Sequence, residues 1–325
     1  MVIYSRIIGT GSYLPKKVVT NHDLEKILDT DDQWIRERTG IRERRISSDE
    51  EPTTVLAENA CRKALEAADV DPLEIDLLVM GTTTPDLIFP SSACLIQKKL
   101  DLPDCGAMDV NAACSGFIYA LSIADKFIRC GDAKKVLVCG AETLSKMINW
   151  NKRDTAVLFG DGAGAVVLEA SEEPGILSTH LHANGHHADL LNTAVGVSRG
   201  FEGLKDNDGK VELLMKGNEV FKVAVRTLGK IVDETLAANN MNKSELDWLI
   251  PHQANLRIIA ATARKLDMDM DRVVITVDRH GNTSSASVPL ALDEAVRDGR
   301  IKRGDMLLLE AFGGGFTWGS ALIKY

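Results

Sequence analysis

The sequence AMDVNAACSGFIYALS, residues 107–122, predicts a strand end, a turn of small residues and the start of a helix. Residues 108–110 form the strand end, residues 111–113 form the turn, and Cys114 stands where the helix begins. Unpaired N–H groups and the positive end of the helix dipole lie close to such a position, and they lower the pKa of a thiol, which favours the nucleophilic thiolate. The alternative is a small cysteine packed at a strand–helix junction, which is a common role of free cysteines.

Helices and apolar strands alternate on both sides of this sequence. The predicted elements are a strand at 2–9, helices at 21–28, 53–68 and 91–100, apolar strands at 76–81 and 135–140, and a helix from Cys114 to about residue 129. The strand DLLVMG is apolar throughout, as strands are in a sheet covered on both faces. This order of elements predicts an α/β fold with a central sheet.

The second half of the chain repeats this order. Its predicted elements are a helix at 219–236, the strand DWLIPH at 247–252, a helix at 255–266, the strand VVITV at 273–277, a helix at 286–296 and the strand MLLLEAFGGG at 306–315. Cys114 follows Asp76 by 38 positions (114 − 76), and Asn282 follows Asp247 by 35 positions (282 − 247). Asn282 is therefore predicted to hold in the second half the place that Cys114 holds in the first.

Residues 156–168, AVLFGDGAGAVVL, combine apolar residues with glycines. A dinucleotide-binding loop is one interpretation of the glycines at 160, 162 and 164. The pattern differs from GxGxxG, and a strand follows it instead of a helix, so we favour two strands around a glycine-rich turn.

Four histidines lie close together, at positions 180, 182, 186 and 187. A metal site is one interpretation, but no carboxylate or cysteine nearby in the sequence completes a defined ligand set. A strand end followed by a loop is the favoured interpretation, and no metal site is predicted.

Composition limits the class of protein. The chain has 325 residues and a net charge of −9, so general binding to nucleic acid or to an anionic membrane is not expected. No apolar run approaches the roughly 20 residues of a membrane span, and the first residues lack the features of a signal peptide. None of the six cysteines belongs to a CxxC pair, so zinc and dithiol sites have no support. A cytoplasmic protein with free thiols is expected.

Three chemically reactive side chains follow predicted strands, namely Cys114, His252 and Asn282. A cysteine and a histidine form a nucleophile–base pair, and asparagine adds a neutral donor, so a cysteine protease is one interpretation. The repeat favours another, because two similar halves, residues 1–170 and 171–325, would bring equivalent loops together at their junction. Two neutral N–H donors at that junction would stabilise an oxyanion or an enolate.

Six motifs extend this pattern over most of the chain: DVNAACSGF, RDTAVLFGDGAGA, MKGNEVFK, PHQAN, DRHGNTSSAS and EAFGGGFTWGSAL. The glycines of the last motif allow the backbone to approach a substrate closely. In these motifs the chain closely resembles the β-ketoacyl-acyl-carrier-protein synthase III family, the priming condensing enzymes of bacterial type II fatty-acid synthesis. The resemblance implies a homodimer with the thiolase fold, a duplicated α/β/α/β/α sandwich. The His–His pair of chain-elongating synthases is absent, because the second position is Asn282.

The resemblance also implies the roles of the reactive residues. Cys114 is acylated by acetyl-CoA, and its N–H and that of Gly314 form the oxyanion hole. Malonyl-acyl-carrier protein then enters, and His252 and Asn282 hold its thioester oxygen as carbon dioxide leaves and the carbanion attacks the acyl group. Phe312 crowds the malonyl carboxylate and favours its loss. No cofactor is expected, because the CoA thioester serves as a substrate.

Residues that bind CoA are implied by the same resemblance: Thr30, Trp34, Arg38, Arg153, Asn218 and Asn255. Trp34 is also an isolated aromatic residue beside arginines, which suits stacking and cation–π contact. The acyl pocket is expected to contain Leu144, Met215 and, from the neighbouring subunit, Phe89. Acetyl is the expected primer, and the alternatives are a longer or branched acyl group, or a related condensing enzyme of secondary metabolism.

A local basic patch is expected to dock the carrier protein despite the net charge of −9. The candidate residues share faces of two predicted helices: Lys222 and Arg226 on one, and Arg257, Arg264 and Lys265 on the other. The alternative is that these residues form ordinary solvated helix faces.

Overall fold

The computed structural model describes residues 2–200 and 211–325 of the chain. The strands within them are β1 Tyr4–Tyr13, β2 Lys17–Thr20, β3 Glu43–Ile46, β4 Leu77–Gly81, β5 Gly106–Val110, β6 Lys135–Thr143, β7 Asp161–Ser171, β8 Ile176–Ala183, β9 Leu191–Thr193, β10 Leu213–Met215, β11 Trp248–Pro251, β12 Met306–Gly313 and β13 Thr317–Lys324. Two short pairs, β2 with β3 and β9 with β10, lie apart from the two larger sheets.

The two larger sheets have the same topology. The first has the strand order β1-β7-β6-β4-β5, in which β4 is parallel to its neighbours and β7 is antiparallel to its own. The second has the order β8-β13-β12-β11, with β11 parallel to β12 and β13 antiparallel to its neighbours. A parallel bridge between Leu249 and Val273 extends the second sheet beyond β11. The repeat predicted from the sequence is therefore confirmed for four strands of each sheet, while the fifth strand of the first sheet matches only this bridge in the second.

Helices separate and cover these sheets. They are α1 Asn21–Glu25, α2 Asp32–Thr39, α3 Thr53–Ala68, α4 Ser92–Leu100, α5 Gly116–Cys130, α6 Arg153–Ala156, α7 Gly217–Ala238, α8 Leu256–Lys265, α9 Val277–His280 and α10 Ser287–Arg297. Helices α5 and α10 lie between the sheets and contact both, while α3 and α4 cover the first sheet, and α7 and α8 cover the second. This arrangement confirms the predicted duplicated α/β/α/β/α sandwich.

Helix α5 illustrates why the central layer is apolar. Its residues Phe117 and Leu121 belong to one buried cluster that also contains Val79 of the first sheet and Leu309 of the second. A helix that contacts a sheet on each side needs apolar residues on most of its surface. The helix ends at Gly131, whose φ of +83° is the left-handed conformation that glycine adopts without strain.

The strand predicted at 273–277 is wrong, because that segment contributes only the bridge at Val273. The buried side chain of Gln253 takes the place of strand pairing there. Its Nε2 donates to the carbonyls of Pro251 and Val274, at 2.7 and 3.0 Å. Its Oε1 accepts two backbone N–H groups that follow in the chain, at 2.8 and 3.1 Å.

The glycine-rich segment 156–168 also differs from the prediction. Instead of two strands around a turn, a turn leads into the single long strand β7, and Gly162 and Gly164 lie inside that strand. A Cβ at Gly164 would stand 2.6 Å from the backbone nitrogen of Leu290 in α10. Close packing of β7 against α10 therefore accounts for this glycine.

The other predicted elements are confirmed with shifted ends. The helix predicted at 21–28 ends at Glu25, while β6 continues to Thr143. The first large sheet draws its strands from residues 4–171 and the second from residues 176–324. The division into halves at residue 170 stays a prediction.

The four clustered histidines lie where a strand ends and a turn follows, which confirms the favoured interpretation. His180 and His182 are in β8, and His186 and His187 are in the turn after it. Sequence reasoning missed the carboxylate of Glu234, which approaches the first two histidines at 3.4 and 2.8 Å.

Candidate active site

Two turns, one from each half, meet at the centre of the molecule. Cys114 lies in the 3₁₀ turn Ala113–Ser115 that leads into α5, and the 3₁₀ turn Ser284–Ala286 leads into α10. Ser284 Oγ lies 3.4 Å from Cys114 Sγ. Cys114 therefore stands two residues before α5, close to the predicted position at the helix start.

Backbone geometry aligns the two turns residue by residue. The first residue of each 3₁₀ turn has a left-handed φ, +46° in the first half and +52° in the second. Each of these residues also donates its N–H to the side-chain oxygen of an asparagine two positions earlier, at 3.5 and 2.9 Å. Asn282 therefore matches Asn111, and Ser285 matches Cys114. This corrects the prediction that Asn282 holds the place of Cys114, because the spacing in the sequence concealed a shift of three residues.

Cys114 is almost completely buried, with 8% of its surface exposed. Burial raises the pKa of its thiol to about 12, and the nearby carboxylate of Glu142 acts in the same direction. The sequence predicted a lowered pKa, and the structure contradicts this. Loss of hydration outweighs the hydrogen bond from Ser284, which favours the charged form.

The glycine-rich end of β12 lies against the turn that carries Cys114. A Cβ at Gly313 would stand 2.5 Å from the backbone nitrogen of Cys114, so a larger residue would displace the turn. Thr317 Oγ1 donates to the carbonyl of Ala112 at 2.7 Å, which ties the same turn to β13. Gly314, the second residue predicted for the oxyanion hole, directly follows Gly313 in the chain.

His252 follows β11, and its ring is oriented by Ser287 at the start of α10. The ring Nδ1 lies 2.6 Å from Ser287 Oγ, which also accepts the N–H of Gln253 at 3.3 Å. The serine hydrogen is therefore available to Nδ1, and we assign the ring proton to Nε2. Burial lowers the pKa of His252 to about 3, so its imidazole is neutral near pH 7.

The backbone of Asn282 is paired with the segment before β7. Its N–H donates to the carbonyl of Leu158 at 2.8 Å, and its carbonyl accepts the N–H of Gly160 at 3.0 Å. Its side-chain oxygen accepts the N–H of Ser284 at 2.9 Å, so the amide nitrogen carries the donors. The second half thus contains two neutral side-chain donors, His252 and Asn282, whose partners Ser287 and Ser284 lie in or next to the turn Ser284–Ala286.

The residues predicted for the acyl pocket and for decarboxylation lie in different environments. Phe312 is buried, and its ring centroid is 4.7 Å from that of Phe316. Leu144 and Met215 belong to one hydrophobic cluster. Phe89 does not join them within one chain, because 84% of its surface is exposed.

Trp34 is the centre of the region predicted to bind the nucleotide. The guanidinium groups of Arg38 and Arg153 lie 4.8 and 4.5 Å from the centroid of its ring. Thr30 Oγ1 is buried and has no hydrogen-bond partner within the described residues.

The two asparagines predicted to contact CoA lie at the starts of the outer helices. Asn255 caps α8 and donates its side-chain amide to the carbonyl of Arg38 at 2.9 Å. Asn218 is exposed in the first turn of α7. Asn255 therefore has a structural role as a helix cap, which sequence reasoning did not predict.

The predicted basic patch lies on α7 and α8, which pack against each other. Four of its members are exposed: Lys222, Arg226, Arg257 and Arg264. Lys265 instead forms an ion pair with Asp233 at 2.6 Å, which links the two helices. The geometry therefore separates a solvated set of four residues from one paired lysine.

Sequence reasoning also missed the buried carboxylate of Glu142, at the end of β6. A charged residue that directly continues an apolar strand was the available signal. The described segments contain no group of three or more histidine, cysteine, aspartate or glutamate side chains that could hold a metal ion. The helices of those segments are all too short or too polar to span a bilayer.

Two family models match the chain. The model for 3-oxoacyl-[acyl-carrier-protein] synthase III matches residues 108–185, and the model for the C-terminal part of the same synthase matches residues 236–325. A curated β-ketoacyl-[acyl-carrier-protein] synthase III from Xanthomonas campestris is 68% identical and covers 99% of both chains.

Solved structures agree. The 3-oxoacyl-[acyl-carrier-protein] synthase III from Aquifex aeolicus has a TM-score of 0.92 and 49% identity, and the match covers 99% of this chain and 100% of that one. The priming β-ketosynthase from the R1128 polyketide pathway has a TM-score of 0.94 and 37% identity, over 98% of this chain and 96% of that one. The chain therefore belongs to the β-ketoacyl-[acyl-carrier-protein] synthase III family, the thiolase-fold acyltransferases that carry out the initiating condensation of fatty-acid synthesis.

Proposed function

We propose that this enzyme transfers an acetyl group from acetyl-CoA to Cys114 and condenses it with malonyl-acyl-carrier protein to give acetoacetyl-acyl-carrier protein. One observation carries the assignment of the site. The turn that bears Cys114 lies against the second-half turn, with Ser284 Oγ 3.4 Å from the thiol. His252 and Asn282 contact the start of α10 and this second-half turn, through Ser287 and Ser284 respectively, which supports their assignment to the same site.

In the first step Cys114 Sγ attacks the thioester carbon of acetyl-CoA. The contact between Gly313 and Cys114 supports an oxyanion hole made by the N–H groups of Cys114 and Gly314, because it brings the two segments of backbone together. A donor of this kind stabilises the tetrahedral intermediate by about 3 kcal/mol. The CoA thiol then leaves, and the acetyl group remains on Cys114.

In the second step the malonyl thioester loses carbon dioxide, and its carbonyl becomes an enolate. In this proposal the neutral His252 donates from Nε2 and Asn282 donates from Nδ2 to that oxygen, and together they stabilise its charge. The support is that Ser287 and the N–H of Ser284 occupy the other polar atoms of these two side chains. The enolate carbon attacks the acetyl carbonyl, and Cys114 leaves as the thiolate. Phe312 provides apolar surface that disfavours the carboxylate before it is lost.

Binding of CoA in this proposal uses Trp34 and Arg153 around the adenine and Thr30 and Arg38 near the nucleotide. The support is that both guanidinium groups contact the Trp34 ring, a surface suited to stacking a base. Asn218 and Asn255 are proposed to contact the pantetheine arm.

The acyl pocket in this proposal is lined by Leu144 and Met215 and closed by Phe89 of a second subunit. The consecutive residues Leu87, Ile88 and Phe89 are all exposed and apolar, which supports a homodimer.

Carrier protein, location and cofactor complete the proposal. The carrier protein would bind the exposed Lys222, Arg226, Arg257 and Arg264, together with the paired Lys265.

A cytoplasmic location is supported by the cysteines, which are all free thiols. No cofactor enters either step.

Mass spectrometry after mixing the protein with a panel of acyl-CoA thioesters tests the proposal. An acetyl adduct on Cys114 that malonyl-acyl-carrier protein then removes is the expected result. The 37% identity to a polyketide priming β-ketosynthase supports a second candidate, the priming of a secondary metabolite. A preferred adduct with a longer or branched acyl group would favour that candidate, and the absence of any adduct on Cys114 would refute both.

A further inference from the structure

The carboxylate of Glu142 joins the two halves beside the nucleophile. It is completely buried at the end of β6. Its hydrogen-bond donors in the described residues are the N–H and hydroxyl of Thr83 and the hydroxyls of Thr82, Thr84, Ser284 and Ser285. All of these are neutral donors that point at the oxygens, which is an environment suited to an ionised carboxylate.

Ser284 connects this carboxylate to the thiol. Its Oγ lies 3.2 Å from Glu142 Oε1 and 3.4 Å from Cys114 Sγ. The single hydrogen of Ser284 can point at the thiol or at Glu142, and when it points at Glu142 the Oγ is able to accept the thiol hydrogen. Ser285 Oγ lies 3.0 Å from the same carboxylate oxygen and 2.9 Å from the carbonyl oxygen of Gly81, so its single hydrogen is shared between these two acceptors. The two serines therefore share the carboxylate, and Ser284 also reaches the thiol.

Acylation has to remove the thiol proton inside this buried site. If the proton left for solvent, a thiolate and a carboxylate would both be charged on either side of Ser284, and like charges raise each other's pKa. Transfer of the proton to Glu142 keeps one negative charge in the site. Burial raises the pKa of Glu142 above that of an ordinary carboxyl, which makes it a better proton acceptor.

Two other titratable groups near the junction, His252 and Asp161, are less suited to accept the thiol proton. Burial lowers the pKa of His252 to about 3, so it is a weak base there. Asp161 on the neighbouring strand β7 accepts hydrogen bonds from Ser47 and Ser145. The segment after β4 and the turn Ser284–Ala286 present hydroxyl and backbone groups to Glu142.

We propose that Glu142 accepts the proton of Cys114 through Ser284 during acylation, an inference that rests on the proposed role of Cys114 as the nucleophile. As Cys114 Sγ forms its bond to the acyl carbon, the thiol proton moves to Ser284 Oγ and the serine's own proton moves to Glu142. When the tetrahedral intermediate collapses, the bond from the acyl carbon to the CoA sulfur breaks. The proton returns through Ser284 to the departing thiolate, so atoms and charge balance and nothing is oxidised.

The test measures the rate of acyl-Cys114 formation against pH, by rapid quenching and mass spectrometry of the intact protein with acetyl-CoA. In the native enzyme the rate should rise as Glu142 ionises and then level off. In Ser284→Ala and in Glu142→Gln the rate near neutral pH should fall about a hundredfold, a typical contribution of a proton-transfer group. The rate should then climb steadily into the alkaline range, because it follows ionisation of the thiol itself.

Ser285→Ala is the matched control, because it removes a donor to the same carboxylate oxygen without touching the thiol. It should keep the native rate on the plateau, with the rise moved to somewhat higher pH because loss of this donor raises the pKa of Glu142, and Glu142→Asp should restore part of the rate lost in Glu142→Gln. If Glu142 acts only through its charge, Glu142→Gln lowers the pKa of the thiol and acylation becomes faster, which overturns the proposal. Equal pH profiles for Ser284→Ala and Ser285→Ala overturn it too. If the native enzyme forms no acyl-Cys114, the proposed function fails with it, whereas an acylated enzyme with unaltered variants refutes the relay alone.

Discussion

The turns before α5 and before α10 have the same backbone and different chemistry. Each has an asparagine whose side chain accepts an N–H two residues on, followed by a 3₁₀ turn that begins with a positive φ. At the matching position the first turn has Cys114 and the second has Ser285, while Asn111 is exposed and Asn282 is buried. The repeated fold therefore supplies two equivalent turns, and the proposed mechanism uses the thiol of one turn and the amide of the other.

The strands that precede these turns differ as well. In the first half β5 has five residues paired with β4, whereas the second half has the single bridge at Val273. Gln253 supplies the hydrogen bonds that a strand would have made. A strand can thus be lost from one copy of a repeat when a single buried amide satisfies the backbone groups left behind.

The largest expected effect comes from removing the thiol from the first turn. Cys114→Ala should abolish acylation, by more than about a thousandfold, because no other group at the junction is a nucleophile of this kind. It should keep some decarboxylation of malonyl-acyl-carrier protein, since His252 and Asn282 remain. The measurements are acyl-enzyme formation and release of labelled carbon dioxide. An acyl adduct formed on the second turn in Cys114→Ala would break the proposed division of labour.

The second effect distinguishes the role of Asn282 from that of the matching Asn111. Asn282→Ala should slow decarboxylation by about a hundredfold, as loss of an oxyanion donor does, and leave acylation largely intact. Asn111→Ala is the matched control, and it should change decarboxylation by less than about threefold. His252→Ala should resemble Asn282→Ala. A protease-like site predicts instead that His252→Ala loses acylation, and an equal response of the two asparagine variants would contradict the assignment.

The third effect tests the missing strand. Gln253→Ala leaves two carbonyls and two N–H groups of the second half without their partners. We expect the free energy of unfolding to fall by about 3 kcal/mol, measured by urea denaturation. Gln33→Ala, at an exposed glutamine in α2, should change it by less than about 0.5 kcal/mol. Similar losses in both variants would mean that Gln253 does not replace a strand.

The smallest effect concerns the pH dependence of stability that His252 causes. The pKa of His252 is about 3 in the folded protein against an ordinary 6.5. Its folded pKa is depressed, so the unfolded chain binds the proton first and stability falls as the pH drops below about 6.5. From pH 7 to pH 5 the contribution of this one group is about 2 kcal/mol.

Urea denaturation at both pH values should therefore show a smaller loss for His252→Gln than for the native protein. The difference between the two losses of stability isolates His252, because the other acid-sensitive groups are common to both proteins. The same loss in both proteins would show that His252 is protonated in the folded enzyme, and its role as a neutral donor would then be wrong.

Much of the fold could be predicted because its elements carry local signals. The buried strands are apolar runs, α3 has an apolar face with the helical period and bounds that match the prediction, and Cys114 lies where a strand and a helix meet. The strand at 273–277 was predicted wrongly, because its apolar residues are buried by neighbours while Gln253 takes its hydrogen bonds. Local sequence does not reveal that a distant side chain replaces the pairing of a strand.

The candidate site shows a similar limit. Its nucleophile and donors stay predictions, and the repeated spacing misaligned Asn282 with Cys114 by three residues. The direction of the Cys114 pKa was predicted wrongly, because it depends on how far the assembled halves exclude water. The contacts of Glu142 and Ser284 join residues 142 positions apart, so no local pattern could place them together.

Helices α5 and α10 form one layer that both sheets use. Neither half possesses a complete hydrophobic interior by itself, because separation would expose the apolar surface of this layer to water. The protein is therefore expected to melt as one cooperative unit, with calorimetric and van't Hoff enthalpies that agree. We therefore expect neither half to fold when it is produced without the other.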